Sequence, residues 1–481
     1  MPINSFLYPG AKFTPAYQVD NSCRFQDSDS SEMNRSIGST GSNTTWTVSA
    51  WVKRVELGQS SPIFGTGDGN ANNDARMVFF DADDKIECSY YNSGFTYEVT
   101  TNRVFRDISA WYHICILFDT TESTAADRVK IYVNGTKETS FATSSYPSED
   151  ASFNFGNTSY SHFVNDMGGR NIRGSHYIAE LVYLDGTALA VTNFGEFDSD
   201  SPRIWKPKDV SGLSSSKGVN GFYMDFEDSS NLGNDVWGGT DFTESNLDAQ
   251  NQTVDTCTNN FATLNPLDNA QSDATYSEGN CKWATSTNSH YFWGRSTIGV
   301  SAGKWYMEFK ATSIPEHGYF GICVDGPDDN TTFLTNGGRN DHVEYGYKTS
   351  DGNSYNNTGD SSYGDTYDDG DIIGVALDLT NNKLYFSKNG TWQNSGDPTS
   401  GATGTGAISI TAAASNGFGE YFFCCADGTA GTSGTFEANF GNPTFSISSS
   451  NADDNGYGNF EYDVPAGYLA LCTKNLGSDG G

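Results

Sequence analysis

The chain has 481 residues and a formal net charge of −33 at pH 7, a length that suits roughly two to four domains. A surface this acidic repels phosphate backbones and anionic lipid, which argues against nucleic-acid partners and membrane insertion. Aromatic residues make up 14% of the chain and charged residues 18%, among many Gly, Ser, Thr and Asn residues. This composition favours β-sheets joined by polar loops.

Residues 1–20 predict an extended N-terminal arm. Pro2, Pro9 and Pro15 disfavour both a helix and a central strand. The aromatic side chains between them should be buried, either on the chain's own first domain or on a partner protein. The segment lacks a basic stretch followed by an apolar one, so we expect no secretory signal.

Residues 21–204 predict an antiparallel β-sandwich because apolar and polar residues alternate in successive short runs. TWTVSAWVKR (45–54) places Trp46, Val48, Ala50 and Val52 on one face. The other runs are RMVFFDADDKIECSYYN (76–92), WYHICILFD (111–119), VKIYVNGTKE (129–138) and YIAELVYLDG (177–186).

Residues 205–254 predict an irregular connector, and residues 255–481 predict a second sandwich with a C-terminal tail. The clearest pattern in the second half is GDIIGVALDLTNNKLYFSKNGTW (370–392). Ile373, Val375 and Leu377 alternate with smaller residues, and Asn389-Gly390 suits a tight turn with positive φ. The fold class is therefore all-β, with two tandem antiparallel sandwiches.

The order of these runs resembles two known families. The Trp-Tyr-His run followed by the Ile-Tyr-Val-Asn-Gly hairpin resembles the laminin-G-like, concanavalin-type jelly roll. Gly-Lys-Trp-Tyr (303–306), Gly-Asp-Ile-Ile-Gly-Val (370–375) and Lys-Asn-Gly-Thr-Trp (388–392) resemble an SPRY domain, whose loops bind partners in that family. The tandem, with phrases such as FGEFDSD (194–200) and PAGYLALCTKNL (465–476), resembles virion proteins of tailed bacteriophages.

This resemblance implies a non-enzymatic virion protein, as a tail fibre, spike or capsid decoration protein, which would be assembled in the host cytoplasm. Its sandwiches would contact other virion proteins or adhere to host-surface glycans. The alternatives are a jelly-roll polysaccharide depolymerase and a decoration protein that is purely structural. Virion fibres of this kind are often trimers, and without heptad repeats a trimer would depend on contacts between sandwiches.

The enzyme alternative needs two carboxylates that flank a glycosidic bond. In jelly-roll glucanases they lie on one strand as Glu-x-Asp-x-x-Glu. The nearest matches are Glu196 with Asp198 and Glu461 with Asp463, and the last position holds Ser201 or Ala466 instead of Glu. The sequence therefore predicts no hydrolysis.

Two groups of residues are candidates for binding. Asp27 and Asp29 follow the first predicted strand and could supply oxygen ligands to calcium, with plain surface acid as the alternative. Tyr355, Tyr363 and Tyr367 lie in a loop rich in Gly, Asp and Asn. Rigid rings among small polar residues are typical of a recognition surface, although they also suit an ordered structural loop.

The histidines and cysteines fit a structural role. The six histidines show no paired zinc spacing, and His113 is expected within a sheet with its ring hydrogen-bonded. Most of the nine cysteines sit singly in strand-like runs, so free buried thiols are expected. Cys257 with Cys281 is the pair that stays open, and adjacent Cys424 and Cys425 should point to opposite faces.

Overall fold

The computed structural model describes residues 17–70, 72–268, 274–286, 292–315, 317–324, 344–356, 359–428 and 431–479. The chain divides into two compact units at Asn260, and each unit is an antiparallel β-sandwich. We call residues 15–260 the first sandwich and residues 261–481 the second sandwich. The predicted all-β class with two tandem sandwiches is confirmed.

The first sandwich contains eighteen named strands within its described residues. They are β1 (Ser22–Phe25), β2 (Glu32–Ser36), β3 (Thr45–Arg54), β4 (Ser61–Gly67), β5 (Asn73–Phe80), β6 (Lys85–Asn92), β7 (Phe95–Val104), β8 (Trp111–Asp119), β9 (Val129–Val133), β10 (Thr136–Lys137), β11 (Phe141–Ser145), β12 (Ser161–Val164), β13 (His176–Asp185), β14 (Gly195–Phe197), β15 (Trp205–Pro207), β16 (Phe222–Met224), β17 (Thr243–Ser245) and β18 (Gln252–Thr253).

These strands form two main sheets. The first sheet has the order β10-β9-β8-β3-β13-β1-β18, with β16 added to β13. The second sheet has the order β11-β7-β6-β5-β4-β12-β2-β17, and β14 pairs with β15 in a separate ribbon. Short 3-10 helices connect some strands, at Ala125–Asp127, Val191–Asn193, Ser211–Ser216 and Ala249–Asn251.

The core of the first sandwich is made by the alternating faces that the sequence predicts. Trp46, Val48, Ala50 and Val52 of β3 are buried in one hydrophobic cluster with residues of the second sheet. The opposite face of the first sheet is covered as well, because Trp51, Trp111 and Tyr177 pack against apolar residues of the 187–257 region. Both faces of the first sheet are therefore buried, as its continuous burial in β8 and β13 shows.

The segment predicted as an irregular connector, 205–254, instead contributes strands to the first sandwich. β16 pairs with β13, β17 with β2, and β18 with β1. These strands have two or three residues each, too few to show an alternating pattern in the sequence. They are held by partners far away along the chain.

The second sandwich contains fifteen named strands and one α-helix within its described residues. They are β19 (Thr275–Ser277), β20 (Lys282–Ala284), β21 (Phe292–Arg295), β22 (Lys304–Ser313), β23 (Gly318–Cys323), β24 (Tyr345–Lys348), β25 (Asn353–Asn356), β26 (Gly359–Ser362), β27 (Ile372–Asp378), β28 (Lys383–Lys388), β29 (Thr391–Trp392), β30 (Ile408–Ser409), β31 (Phe422–Asp427), β32 (Thr435–Asn439), β33 (Leu469–Ala470) and α1 (Thr473–Asp479). Short 3-10 helices lie at Gln393–Ser395, Pro398–Thr403 and Ala413–Ser415.

The hairpin predicted at residues 370–392 lies in the third sheet, which has the order β19-β20-β32-β22-β27-β28-β29 with β30 and β33 added. Ile373, Val375 and Leu377 face the core as expected. Asn389 and Gly390 adopt φ of 47° and 78°, the backbone that this turn requires. The fourth sheet, β21-β31-β23-β24-β25-β26, covers the other side of this core. Across the described ranges, no helix has the length and apolar character to cross a lipid bilayer.

A candidate binding surface on the second sheet

A row of side chains runs across the outer face of the second sheet, the face turned away from the core. Register places Phe163 of β12 beside Gly65 of β4, Gly65 beside Arg76 of β5, and Arg76 beside Ser89 of β6. Gly65 leaves the middle of this row bare. A Cβ at this position would come within 2.4 Å of the Ala75 carbonyl oxygen, so no side chain fits there.

A shallow recess opens above Gly65. Its walls include Arg76 and Phe79 on one side and Asp166, Met167 and Gly168 on the other. Glycine within a strand often marks a close approach of backbone or ligand. The sequence contains this signal in Gly65-Thr66-Gly67, but glycines alone do not indicate that the stretch is a strand.

Arg76 lies at the centre of this surface. Its Nη1 is 3.2 Å from Glu87 Oε1, and its Nε is 3.5 Å from Asp74 Oδ2. Its guanidinium carbon is 5.6, 5.9 and 5.3 Å from the ring centroids of three aromatic side chains, namely Phe79, Tyr91 and Phe95. Two carboxylates and three rings thus hold one cation in place.

Two buried polar atoms at this surface have no hydrogen-bond partner among the described residues. They are Nε of Arg76 and Oδ1 of Asp74. Unsatisfied buried polar groups cost free energy unless something completes them. Burial also raises the pKa of Glu87, with Ser89 and Arg76 opposing that shift. The surface therefore holds one cation between two carboxylates, with the Phe95 ring 48% exposed beside it.

The 165–174 loop that borders the recess is rigidly held. Asp166 Oδ1 accepts hydrogen bonds from the backbone N–H groups of Gly169 and Arg170, at 2.6 and 2.8 Å. Burial is the main cause that raises the pKa of Asp166 to about 6, and the nearby Glu32 carboxylate adds to the shift. Gly168 packs against Asp74, where a Cβ would lie 2.9 Å from the Asp74 Cβ. The wall of the recess is thus preformed rather than adaptable.

The second sandwich presents an aromatic ring on a constrained turn. Asn416 Oδ1 accepts hydrogen bonds from the backbone N–H groups of Phe418 and Gly419, at 2.9 and 2.8 Å, and its Nδ2 donates to the Glu420 carbonyl oxygen at 2.8 Å. Gly417 and Gly419 both adopt φ of 91°. Phe418 between them is 44% exposed.

The three tyrosines predicted as a recognition surface are instead buried. Tyr355, Tyr363 and Tyr367 are 6%, 7% and 1% exposed. The Tyr363 hydroxyl accepts a hydrogen bond from the Phe386 backbone N–H, and the Tyr367 hydroxyl donates to the Tyr347 carbonyl oxygen at 2.7 Å. Their rings complete the packing of the second sandwich because the polar loop folds back onto it, so they offer no exposed platform.

Asp27 and Asp29 lie in an exposed turn after β1. The Asp27 carbonyl oxygen accepts a hydrogen bond from Ser30, and the Asp29 carboxylate accepts one from Ser28. In the part of the chain that the structure describes, no group of three or more His, Cys, Asp or Glu side chains could hold a metal ion. Among the described residues, Asp27 and Asp29 are therefore not part of a cluster of three such side chains, and the calcium site stays a prediction.

The glucanase-like acids Glu196 and Glu461 each contact nearby residues. Glu196 is 3.5 Å from Lys206 and 3.4 Å from Lys208 in the β14–β15 ribbon. Glu461 accepts hydrogen bonds from the backbone N–H and the hydroxyl of Ser448.

The His113 ring is hydrogen-bonded within a sheet, as the sequence predicts. Its Nε2 lies 2.9 Å from Ser49 Oγ, and its Nδ1 accepts a hydrogen bond from Trp205 Nε1. All nine cysteines are free, and Cys424 and Cys425 belong to separate clusters on opposite faces.

Comparison with known proteins places these two folds in named families. Residues 27–170 match the concanavalin A-like lectin/glucanases superfamily, and residues 304–424 match the SPRY domain. The chain therefore contains a concanavalin A-like domain followed by an SPRY domain. Among solved structures, the SPRY domain of human HERC1 is 15% identical and covers 36% of this chain and 96% of its own, with a TM-score of 0.28.

Curated relatives match a short part of the chain. The Ran-binding proteins 9/10 homolog of Drosophila melanogaster is 34% identical over 94 residues, which is 19% of this chain and 10% of that protein. Ran-binding protein 9 of Danio rerio and that of Homo sapiens are each 35% identical over 19% of this chain, and the chain covers 15% and 12% of their lengths. All three relatives are eukaryotic proteins.

Proposed function

We propose that this chain is a non-enzymatic binding protein, in which the first sandwich holds a surface glycan and the second sandwich contacts a protein partner. The observation that carries the first part is the surface around Arg76, next to the recess at Gly65. There a guanidinium held between Asp74 and Glu87 lies beside the ring of Phe95, which is 48% exposed. Sugars suit such a site because they present apolar C–H faces and dense hydroxyl groups.

The glycan-binding proposal can be tested at Phe95, which is 48% exposed beside Arg76. Replacing Phe95 with Ala should weaken glycan binding about tenfold, since truncating a central aromatic contact typically costs roughly 1–2 kcal/mol. Binding would be measured on an array of neutral and acidic oligosaccharides, followed by calorimetry with the strongest one.

Phe197 is the matched control because it is 46% exposed and lies on the β14–β15 ribbon. The variant Phe197→Ala should bind the same oligosaccharide as the unmodified chain does. Equal losses for both variants, or no oligosaccharide binding at all, would contradict the proposed surface.

A polysaccharide depolymerase is the second candidate, and one observation favours it. Glu87 is a buried acid with a raised pKa near the recess, as a general acid requires. Against it, Arg76 and Ser89 both bind Glu87, at 3.2 and 2.6 Å. Release of reducing ends from a bound polysaccharide, abolished in Glu87→Gln, would establish the enzyme and overturn the binding role.

The second sandwich is proposed to bind protein through the Asn416–Glu420 turn. Support comes from the exposed Phe418 on a constrained backbone, and from relatives that are named for binding a protein, Ran. Aromatic side chains on rigid turns are efficient anchors because little entropy is lost on binding.

We further propose that the whole chain is displayed on a virion and assembles in the host cytoplasm. This rests on the linker and tail phrases that resemble bacteriophage virion proteins. The test is mass spectrometry of gradient-purified particles. Peptides of this chain, in amounts similar to those of the structural proteins, would support the proposal. Their absence from particles, together with capture of a host protein that Phe418→Ala no longer binds, would favour an intracellular adaptor instead.

A further inference from the structure

A buried lysine lies at the end of β3 in the first sandwich. The side chain of Lys53 is 2% exposed, and its Nζ is 2.7 Å from Oδ2 of Asp255, a side chain with no exposed surface. The same Nζ is 2.7 Å from Oδ1 of Asn260. One amine, one carboxylate and one carboxamide thus meet at a single point.

Aromatic residues enclose this group. Register places Trp111 of β8 and Tyr177 of β13 directly beside Lys53 on either side. Trp111 Nε1 donates to the second oxygen of Asp255 at 3.0 Å, and Nζ lies 5.6 Å from the Tyr177 ring centroid. Asn260 Nδ2 donates to the Ser109 carbonyl oxygen, which turns the amide so that its oxygen faces Lys53.

We propose that Lys53 and Asn260 form an intramolecular isopeptide bond, with Asp255 as the group that moves the protons. Asp255 takes a proton from the Lys53 ammonium, and the neutral Nζ attacks Cγ of Asn260. Asp255 then protonates Nδ2, the Cγ–Nδ2 bond breaks, and nitrogen leaves as ammonia that takes up the remaining proton. An ammonium and a carboxamide become a secondary amide and an ammonium ion, so no oxidant is needed.

The geometry provides what this reaction needs. The attacked carbon is one bond beyond an oxygen already in contact with Nζ, which is close to a near-attack arrangement. The Lys53 side chain is 2% exposed and that of Asp255 is fully buried, so bulk water does not compete for Nζ. Asp255 binds Nζ directly, within the distance expected of a general base.

The bond would join residues 207 positions apart. It would tie the last residue of the first sandwich covalently to a central strand of its first sheet. Pulling on the end of this sandwich could then not peel β18 and the following turn away, which suits a protein that holds a particle to a surface.

The test is mass spectrometry of the full folded chain. We expect an intact mass below the sequence mass by one ammonia, and a tryptic species that joins the Lys53 and Asn260 peptides. An Asn-Gly succinimide, as at Asn134 or Asn389, also loses ammonia, but it yields no branched peptide and is hydrolysed in mild base. A folded chain with its full sequence mass and no branched peptide would overturn the proposal.

Variants of Asp255 and Asn260 test the role of each residue in forming the bond. Asp255→Asn keeps the shape of the side chain but removes the proton acceptor, so both the mass deficit and the branched peptide should disappear. Asn260→Ala should also abolish them. Lys130→Met is the control, because Lys130 makes a comparable contact of 3.1 Å with Glu122 on a more exposed site, and it should leave the linkage intact. A branched peptide that persists in Asp255→Asn would remove Asp255 from the reaction.

Discussion

Glu180 shows how the fold shifts the chemistry of one residue. It lies in a bulge of β13, where register shifts between Ala179 and Val182, and it adopts φ of 52°, a region that non-glycine residues seldom occupy. Its carboxyl group accepts hydrogen bonds from the hydroxyls of Tyr223 and Tyr17. Burial raises its pKa to about 8, although both tyrosines oppose the shift.

This shift predicts a pH dependence of stability. The folded pKa is above the unfolded one, so the folded state binds more protons between pH 4.5 and about 8. The free energy of unfolding should therefore fall as pH rises through this window, by up to about 1.4 kcal/mol per pH unit from this group. Glu180→Gln should remove that contribution, measured by denaturant unfolding at several pH values.

A second variant sharpens the pH test. Tyr223→Phe removes a donor that lowers the pKa of Glu180, so the decline in stability should extend to higher pH. Parallel stability curves for the unmodified chain and Glu180→Gln from pH 5 to pH 8 would show that Glu180 does not titrate as the structure implies.

At the scale of elements, the sequence predicts the long strands but not the short ones, and the difference has a physical reason. β3, β8, β9 and β27 alternate over several residues, so the sequence alone identifies both the strand and its buried face. β16 to β18 are too short for any periodicity, and their stability comes from pairing with strands up to about 230 residues away. No local pattern reports such pairing.

The candidate binding surface around Arg76 could not be predicted from the sequence, because it also depends on pairing between distant residues. Alternation can identify β4 and β5 as strands, but it does not say that register sets Gly65 beside Arg76 or that the 165–174 loop returns to wall the recess. The loop tyrosines were predicted to be exposed, and they are buried for the same reason. A polar sequence around Tyr363 and Tyr367 indicates a loop, but the hydrogen bonds that bury their rings are made to β28 and β24.

The added strands predict where the chain can be divided. A fragment of residues 15–260 should fold alone and show near-UV circular dichroism. A fragment of residues 15–204, which follows the boundary predicted from the sequence, should not. It lacks Phe222, Met224, Phe226, Leu232 and Phe242, all of which belong to the core of the first sandwich, and it exposes the partners of β16 to β18.

Each fragment has its own control. Residues 261–481 contain the complete second hydrophobic cluster and should fold separately. Native-like dichroism and a cooperative melt from residues 15–204 would mean that the later strands are accessory, and the division at Asn260 would lose its energetic basis.

The molecule as a whole should contain no disulfide. Eight of its nine cysteines are buried, and Cys257 is partly exposed. Burial raises the pKa of the Cys115 thiol, so reaction with a thiol reagent should be slow in the native state. After unfolding under non-reducing conditions, nine thiols should react. A count of seven would reveal a pair that the structure does not contain.

The pairing of β1 with β18 has a consequence for how the first sandwich could be shared between proteins. Ser22 lies opposite Thr253, and Val19 is bonded to Thr258, so the chain enters and leaves this domain at neighbouring points. A domain with adjoining ends can be inserted into a surface loop of another protein without stretching that loop. Gene rearrangement could therefore transfer the whole domain as an insertion, and it need not be appended at a terminus.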